Sequence, residues 1–515
     1  MKTYLAIISF FFSAIGLAQV DTLWTQVYGG SDNEPVGFGS GFAGAPSVHA
    51  ETDDSGNIFL VTFTDSNDGD ISSNKGLEDV WVLKLDSEGD TLWTKTIGGS
   101  SFDRAYRVRV TEDQGCVIAG RTSSNDGDFT GSNGSEDGFV VKLNADGDLE
   151  WSNLYGGSLV DNFFGMEIIG DRYLVYGATG SIDGDVPAGS PGSVEAWVVF
   201  MDNDGDILWS EKTSASTADS DWSESFWSAV EINDGVVLAG MTGNAFDFNT
   251  DDFFIAMYDT LGNQIWTAEY GSGTSDAIGG ITEIDNYIYL TGRVNAGTGD
   301  VSSYAGGTGD VWLAKIDSNG VLINEKNYGG SDYEYSYFIQ ESLGNNLLIS
   351  GLTRSTDGDL GATSYGGFDF WVLEVDTSFT SILNQFRFGG SANDYAHGIL
   401  AETPFDFVLY GRSQSSGDYV PSNNGGTDIY LTKIQTAIND LGAASFDNEV
   451  LIYPNPNNGD FRLSNLKAGE SYEIYNLLGE RVYQGIYNGE TIHVELPTNL
   501  YVLTTGEFVV RFIIE

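Results

Sequence analysis

The chain has 515 residues, 41% hydrophobic and 13% aromatic, with 67 Gly against 9 Pro, so it can fill a sizeable core and make many tight turns, which excludes wholesale disorder. Its 75 acidic and 22 basic residues give a formal charge of −53, spread along the chain instead of gathered in a tail. Such a surface repels phosphate backbones, because nucleic-acid binding depends on Lys and Arg displacing counterions, and nucleic acid is excluded as a partner.

Residues 1–18 read as a secretory signal: Lys2, then the apolar stretch Tyr4–Ile15, then the small-residue end Gly16-Leu17-Ala18. No later run approaches the roughly 20 apolar residues that a spanning helix needs, so no transmembrane segment is expected. Cys116 has no partner for an intramolecular disulfide, and in the run Cys116-Val117-Ile118-Ala119 it reads as a small buried hydrophobe.

From Trp24 onward one phrase recurs, a Trp followed by polar residues and Gly-Gly-Ser, at Trp24–Ser31, Trp93–Ser100 and Trp151–Ser158. Degenerate copies start at Trp209, Trp266, Asn324 and Asn384, so successive starts are separated by 69, 58, 58, 57, 58 and 60 residues. The second unit shows four short runs bounded by turn residues: a, Arg104–Thr111; b, Cys116–Arg121; c, Phe139–Leu143; d, Leu149–Tyr155. Both the b-type and the c-type runs occur seven times, and no helical period intervenes. Units of this kind cannot bury both faces alone and must stack on their neighbours. The array opens with a lone d-type strand, Leu23–Tyr28, and its last unit lacks one, so the N-terminal strand is expected to complete the final unit and leave no free edge.

The expected fold is therefore all-β: a seven-bladed β-propeller of four-stranded antiparallel blades over residues 19–435, closed by the N-terminal strand, with a linker at 436–446 and a small β-sandwich at 447–515. The phrase Gly98-Gly99-Ser100, Asp103, an apolar strand, Gly120, Thr122 and Asp126-Gly127-Asp128 resembles the bacterial β-propeller repeat family over about residues 23–434. That resemblance implies a fold and no single activity. The fourth unit departs from it, with Ser214-Ala215-Ser216 and Asp247-Phe248-Asn249 in place of Gly-Gly-Ser and Asp-Gly-Asp, so its loops are expected to differ.

The C-terminal segment opens with Tyr453-Pro454-Asn455-Pro456 and Gly459, continues through Tyr472–Glu480, and ends in Tyr501-Val502-Leu503 and Phe508–Ile514. It resembles the C-terminal sorting domain of type IX secretion substrates, with Asn499-Leu500 where a Gly-x before Tyr is usual and Arg511 near the usual terminal Lys. The resemblance implies type IX secretion machinery as a partner, export across the outer membrane, removal of this domain, and an extracellular or surface-anchored location.

In an antiparallel four-stranded unit the b–c loop and the d–a connection emerge at one end. Asp103, Asp332 and Asp394 from the d–a connections are therefore expected to join Asp126, Asp128, Asp357 and Asp359 from the b–c loops as an acidic binding face. Tyr333, Tyr335, Tyr337, Tyr365 and Tyr395 lie in or beside the same loops and are the candidate ligand contacts, toward a glycan or a protein. Calcium is the candidate cofactor, at Asp202, Asp204 and Asp206 in a loop that matches the first part of an EF-hand and lacks its twelfth-position Glu; turn formation accounts for the same residues. The repeated Trp93, Trp151, Trp209 and Trp266 are expected to pack between units, in preference to forming a sugar platform.

No catalytic residues are expected. His49, His397 and His493 lie in unrelated segments with no nucleophile elbow or metal-spaced pair beside them, and each reads as structural. The turn Leu85–Trp93 is loosely similar to the Asp-box of sialidases, which argues fold more than activity. The sequence thus points to an exported, non-enzymatic binding protein, with a secreted hydrolase acting on polysaccharide as the alternative.

Overall fold

A computed structural model describes residues 20–34, 47–188, 194–213, 224–233, 235–244, 247–342, 345–360, 364–401, 406–417, 419–421, 423–436, 452–453, 459–463, 467, 469–475, 481–489, 491–494, 496–497, 499–505 and 508–514. The signal segment lies outside them. The chain divides into two compact units, Met1–Ile438 and Asn439–Glu515.

Among the described residues the first unit contains seven four-stranded antiparallel sheets. In chain order the first six hold strands a to d as follows: His49–Thr52, Ile58–Thr64, Asp79–Leu85 and Thr91–Ile97; Asp103–Val110, Cys116–Thr122, Asp137–Leu143 and Leu149–Tyr155; Asp161–Ile169, Arg172–Thr179, Glu195–Met201 and Ile207–Thr213; Ser225–Ile232, Gly235–Asn244, Asp247–Asp259 and Gln264–Tyr270; Ala277–Ile284, Tyr287–Val294, Asp310–Ile316 and Leu322–Tyr328; Glu334–Glu341, Leu347–Thr353, Asp369–Val375 and Ile382–Phe388. The seventh takes a, b and c from Asp394–Ala401, Asp406–Ser413 and Asp428–Thr436, and its fourth strand is Val20–Tyr28, paired antiparallel to Asp428–Thr436 from Val20↔Thr436 to Tyr28↔Ile429. The a strands contact one another in chain order, and that of the seventh sheet contacts that of the first.

Burial follows position within the sheet. Strands b and c have partners on both edges and sheets on both faces, so Ile58–Thr64 and Asp79–Leu85 are buried at every residue and read as continuous apolar runs. Strand d is an edge, and Thr91–Ile97 is half-exposed or exposed except at Ile97. Cys116 is buried, and burial pushes its thiol up to about 12.

The repeated Trp of strand d packs against the next sheet. Each c–d turn has a residue in the left-handed region, Phe379 in the sixth sheet and a glycine in the other five, and each of those glycines lies under the Trp of the preceding d strand: Gly147 has φ +78° and a Cβ there would sit 2.9 Å from the Trp93 ring. Trp93 Nε1 donates to Ala145 O at 3.0 Å, and Trp266 Nε1 to Ser318 O at 3.0 Å. The contact recurs between Trp24 on the N-terminal strand and Gly89 in the first sheet, where a Cβ would lie 3.2 Å from the ring.

The fourth sheet departs from its neighbours. Its strand c is extended to Asp247–Asp259 and pairs back to Asn244, so a hairpin replaces the Asp-Gly-Asp loop of the other units.

The second unit has a four-stranded antiparallel sheet, ordered Arg481–Ile486, Ser471–Tyr475, Asn499–Thr505 and Phe508–Ile514, and a smaller sheet built on Asp460–Leu463. Phe461, Leu463, Tyr472, Ile474, Tyr501 and Leu503 form its core. Tyr453 lies in a short strand, Pro454, Asn455 and Pro456 fall outside the described residues, and Gly459, at φ +95°, accepts the Val494 N–H at 2.9 Å.

Candidate binding site

The acidic residues of the repeated phrase fold inward onto their own loops. In the second sheet four consecutive amides each find an oxygen: Gly98 N–H donates to Asp128 at 3.0 Å, Gly99 to Asp103 at 2.7 Å, Ser100 to Asp126 at 2.7 Å and Ser101 to Ser124 Oγ at 2.9 Å. Thr122 and Ser124, on and after strand b, also donate to Asp103, which is fully buried. The clasp stitches the d–a connection to the b–c loop, satisfying amides that tight packing would otherwise strand. The same arrangement holds Asp394, which accepts Gly390 N–H at 2.7 Å, and Asp357 and Asp359, which accept Ser331 and Gly329 at 2.7 and 3.2 Å. Asp332 does not occupy the clasp position. Glu334 does, accepting Gly330 N–H at 2.8 Å, while Asp332 pairs with Arg354 at 2.6 Å.

A second set of acids stands on the c strand of six of the seven sheets, opening the strand in all but the fourth, where the extended strand places Asp252 within it. Asp79, Asp137, Asp310, Asp369 and Asp428 are buried and Asp252 is half-buried, and each has one side-chain oxygen without a hydrogen-bond partner. Each faces the clasp acid of the next sheet across the first glycine of the phrase: a Cβ on Gly156 would lie 2.8 Å from Asp137 Oδ1 and 2.6 Å from Asp161 Oδ2. Burial, reinforced by the facing carboxylate, pushes Asp252 up to about 7 and Asp79, Asp310 and Asp428 to about 6. A spacing signal was available, since an Asp immediately precedes most of the apolar c-type runs.

Asp202, Asp204 and Asp206 form a c–d turn in which Asp202 Oδ1 accepts the N–H groups of Asp204 at 3.1 Å and Asp206 at 2.9 Å. The pattern repeats at Asp86, Asn144, Asp259 and Asp317. Among the described residues no three His, Cys, Asp or Glu side chains converge to hold a metal ion.

Four of the five candidate tyrosines come together. Tyr335 and Tyr337 have ring centroids 4.5 Å apart, Tyr333 and Tyr395 lie 5.5 and 5.9 Å from Phe368, and arginines cover the group: Arg293 over Tyr333 and Tyr335, Arg354 over Phe368, Arg412 over Tyr395. Burial holds the Tyr335 and Tyr337 hydroxyls well above the ordinary tyrosine range. Tyr365 lies elsewhere, edge-on to Tyr419 at 5.2 Å.

Tyr337 connects this cluster to a cavity. In six of the seven a strands the pairing register shifts at one equivalent place, so that Tyr106, Phe164, Trp227, Gly279, Tyr337 and His397 are each the extra residue of a β-bulge. A bulge re-aims its side chain out of the ladder. Trp227, Gly279, Tyr337 and His397, with Arg107, Arg109 and Glu167 beside the other bulges and His49 from the first sheet, line one cavity of about 160 Å³ to which all seven a strands contribute. Each bulged residue stands three places after the clasp acid, or after Glu224 in the fourth sheet, a spacing legible in the chain although the residue types vary.

His49 and His397 lie in unrelated segments of the sequence, and the structure places both on this cavity. Burial, with Arg107 and Arg109 beside His49 and Arg412 near His397, drives both imidazoles well below the ordinary histidine range, so they are neutral at pH 7. His493 belongs to the second unit.

Residues 451–513 match the secretion system C-terminal sorting domain family. The protein is thus a type IX secretion substrate, exported to the cell surface or the extracellular space. No helix among the described residues is long and apolar enough to cross a membrane. Over 410 residues the chain is 22% identical to the regulatory protein FlaEY of Caulobacter vibrioides, covering 72% of this chain and 39% of that protein, so it spans well under half of that relative's length. Similar solved structures include the polysaccharide lyase Uly1 (11% identity, TM-score 0.44, covering 82% of this chain and 100% of that one) and the phage phi92 endosialidase (11%, 0.39, 95% and 87%). Another is the quinohemoprotein alcohol dehydrogenase of Comamonas testosteroni (10%, 0.38, 84% and 78%). Their named activities differ from one another.

Proposed function

We propose that the chain is an exported, non-enzymatic binding protein, a seven-bladed β-propeller closed through its N-terminal strand, which takes its ligand at the axial cavity and the adjoining tyrosine-arginine cluster. The observation that carries this reading is a cavity lined from every a strand, holding Arg107 and Arg109 in a chain of formal charge −53. Closure is supported by the contact of the seventh and first a strands and by the Trp24–Gly89 contact, which repeats the packing seen between consecutive sheets. The acidic loops are committed to clasps, so Tyr333, Tyr337, Tyr395 and the cavity, and not the carboxylates, form the ligand face.

The test is a ligand screen of the full-length protein on a glycan array and a small-molecule panel, with and without calcium, alongside release of reducing sugar from polysaccharides. The comparison variant is Ser228→Trp, which fills the cavity from a lining position. Saturable capture that Ser228→Trp abolishes is the expected result. Turnover of a polysaccharide would establish the hydrolase alternative, and capture indifferent to Ser228→Trp would move the site off the axis.

A further inference from the structure

Arg107 is the charged side chain of the cavity whose surroundings do not account for it. Its guanidinium is buried, 8% exposed, and Nη2 donates to Tyr176 Oη at 3.3 Å, while Nε has no partner. Among the described residues no carboxylate lies within ion-pair distance of it, although the chain carries 75 acids against 22 bases. Its neighbour Arg109 is matched twice, by Glu167 through a fork with contacts of 2.6 and 2.7 Å and by Glu51 at 3.8 Å. A buried cation with an unused donor is costly unless something pairs with it. In a chain so rich in carboxylates this guanidinium touches none, Glu51 acting on it only through space and Glu167 only through the shared Tyr176 hydroxyl, which leaves its free donor to an anion from outside.

The remaining lining describes that anion. His397 contributes a second buried nitrogen without a partner, Nδ1, on a neutral imidazole able to donate or accept. Trp227, Ile281, Tyr337, Phe338 and Ile339 supply apolar wall, and the volume of about 160 Å³ admits a small molecule. A single unmatched guanidinium suits one negative charge, and its planar fork matches the two oxygens of a carboxylate.

We infer that the axial cavity binds a small organic monocarboxylate, its carboxylate held by Arg107 with His397 alongside and its apolar body against Trp227 and Tyr337. This rests on the axial cavity being the ligand site. The experiment is calorimetric titration of the full-length chain at pH 7 with acetate and benzoate, with benzamide as the uncharged counterpart of benzoate and with chloride and inorganic phosphate as other anions, for the native protein, Arg107→Gln and Ser228→Trp. Benzoate or acetate is expected to bind saturably, benzamide at least about tenfold more weakly, and Arg107→Gln to lose at least about tenfold in affinity, as the loss of a charge-assisted hydrogen bond implies. Because Arg107 has no carboxylate to abandon, the melting temperature of unliganded Arg107→Gln is expected to equal or exceed that of the native protein, a readout that a structural ion pair would reverse. Equal binding of benzoate and benzamide, failure of both carboxylates, or preference for chloride or phosphate would each overturn the inference. If another ligand from the screen is then blocked by Ser228→Trp but not by Arg107→Gln, the cavity is still the site and only its anion selectivity is refuted.

Discussion

Asp252 and Asp276 meet across the junction of the fourth and fifth sheets over the Cα of Gly271: a Cβ there would lie 2.5 Å from Asp276 Oδ2 and closer still to Asp252 Oδ1. Asp276 is fully buried and Asp252 half-buried, and Asp252 Oδ1 has no hydrogen-bond donor. Equivalent pairs join Asp79 to Asp103, Asp137 to Asp161, Asp310 to Glu334, Asp369 to Asp394 and Asp428 to Glu34. The junctions between sheets are thus built on facing acids.

This arrangement inverts the ordinary response to acid. Asp252 at about 7 and Asp79, Asp310 and Asp428 at about 6 stand above the 3.8 expected of an aspartate in the unfolded chain, so between those values the folded state binds more protons than the unfolded one. Their contribution to stability is fully present below about pH 4 and is lost as pH rises through 6 and 7. Thermal unfolding followed by circular dichroism should show a higher midpoint at pH 5 than at pH 7.5, and a lower midpoint at pH 5 would contradict the proton count.

Asp252→Asn removes one charge from a facing pair and puts an amide donor beside Asp276. The variant should melt above the native protein at pH 7.5, with the gain shrinking toward pH 5, where Asp252 is already protonated. A uniform loss at both pH values would show that the carboxylate is needed for packing.

The first glycine of the repeated phrase cannot be enlarged. A Cβ on Gly329 would lie 2.5 Å from Asp310 Oδ1 and 3.0 Å from Glu334 Oε2, so Gly329→Ala should cost about 2 kcal/mol by overpacking. Chemical denaturation with an unchanged m-value is the measurement, and a cost below about 0.5 kcal/mol, the scale of ordinary surface changes, would mean the junction can open.

Trp93 is a structural residue on this geometry, stacked over Gly147 and hydrogen-bonded to Ala145 O. Trp93→Ala should cost about 3 kcal/mol, as large aromatic truncations do, and leave ligand capture unchanged once folded. Loss of capture with native stability would instead point to a sugar-stacking role.

The pairing of Val20–Tyr28 with Asp428–Thr436 predicts that a chain starting at Gly29 exposes the edge of the seventh sheet. Such a chain should self-associate in sedimentation velocity and lose its cooperative melt. A monomer with native melting behaviour would refute closure through this strand.

Much of this was legible along the chain, because what recurs in sequence is what each unit needs locally. The spacing of Trp, Gly-Gly-Ser and Asp-Gly-Asp marks four strands and their turns, the missing last d strand points to Val20–Tyr28, and the Tyr453 segment announces the sorting domain. Periodicity and turn chemistry are properties of short stretches, so the order of residues determines them before any long-range contact forms. It could not say that Asp103 and Asp126 spend their oxygens on neighbouring amides, because exposure and hydrogen bonding belong to the assembled loops. Nor could it bring His49 and His397 to one cavity, or leave Arg107 without an ion-pair partner among so many acids. Those relationships cross between sheets, and only tertiary structure, by stacking the a strands around one cavity, decides which distant side chains share a site.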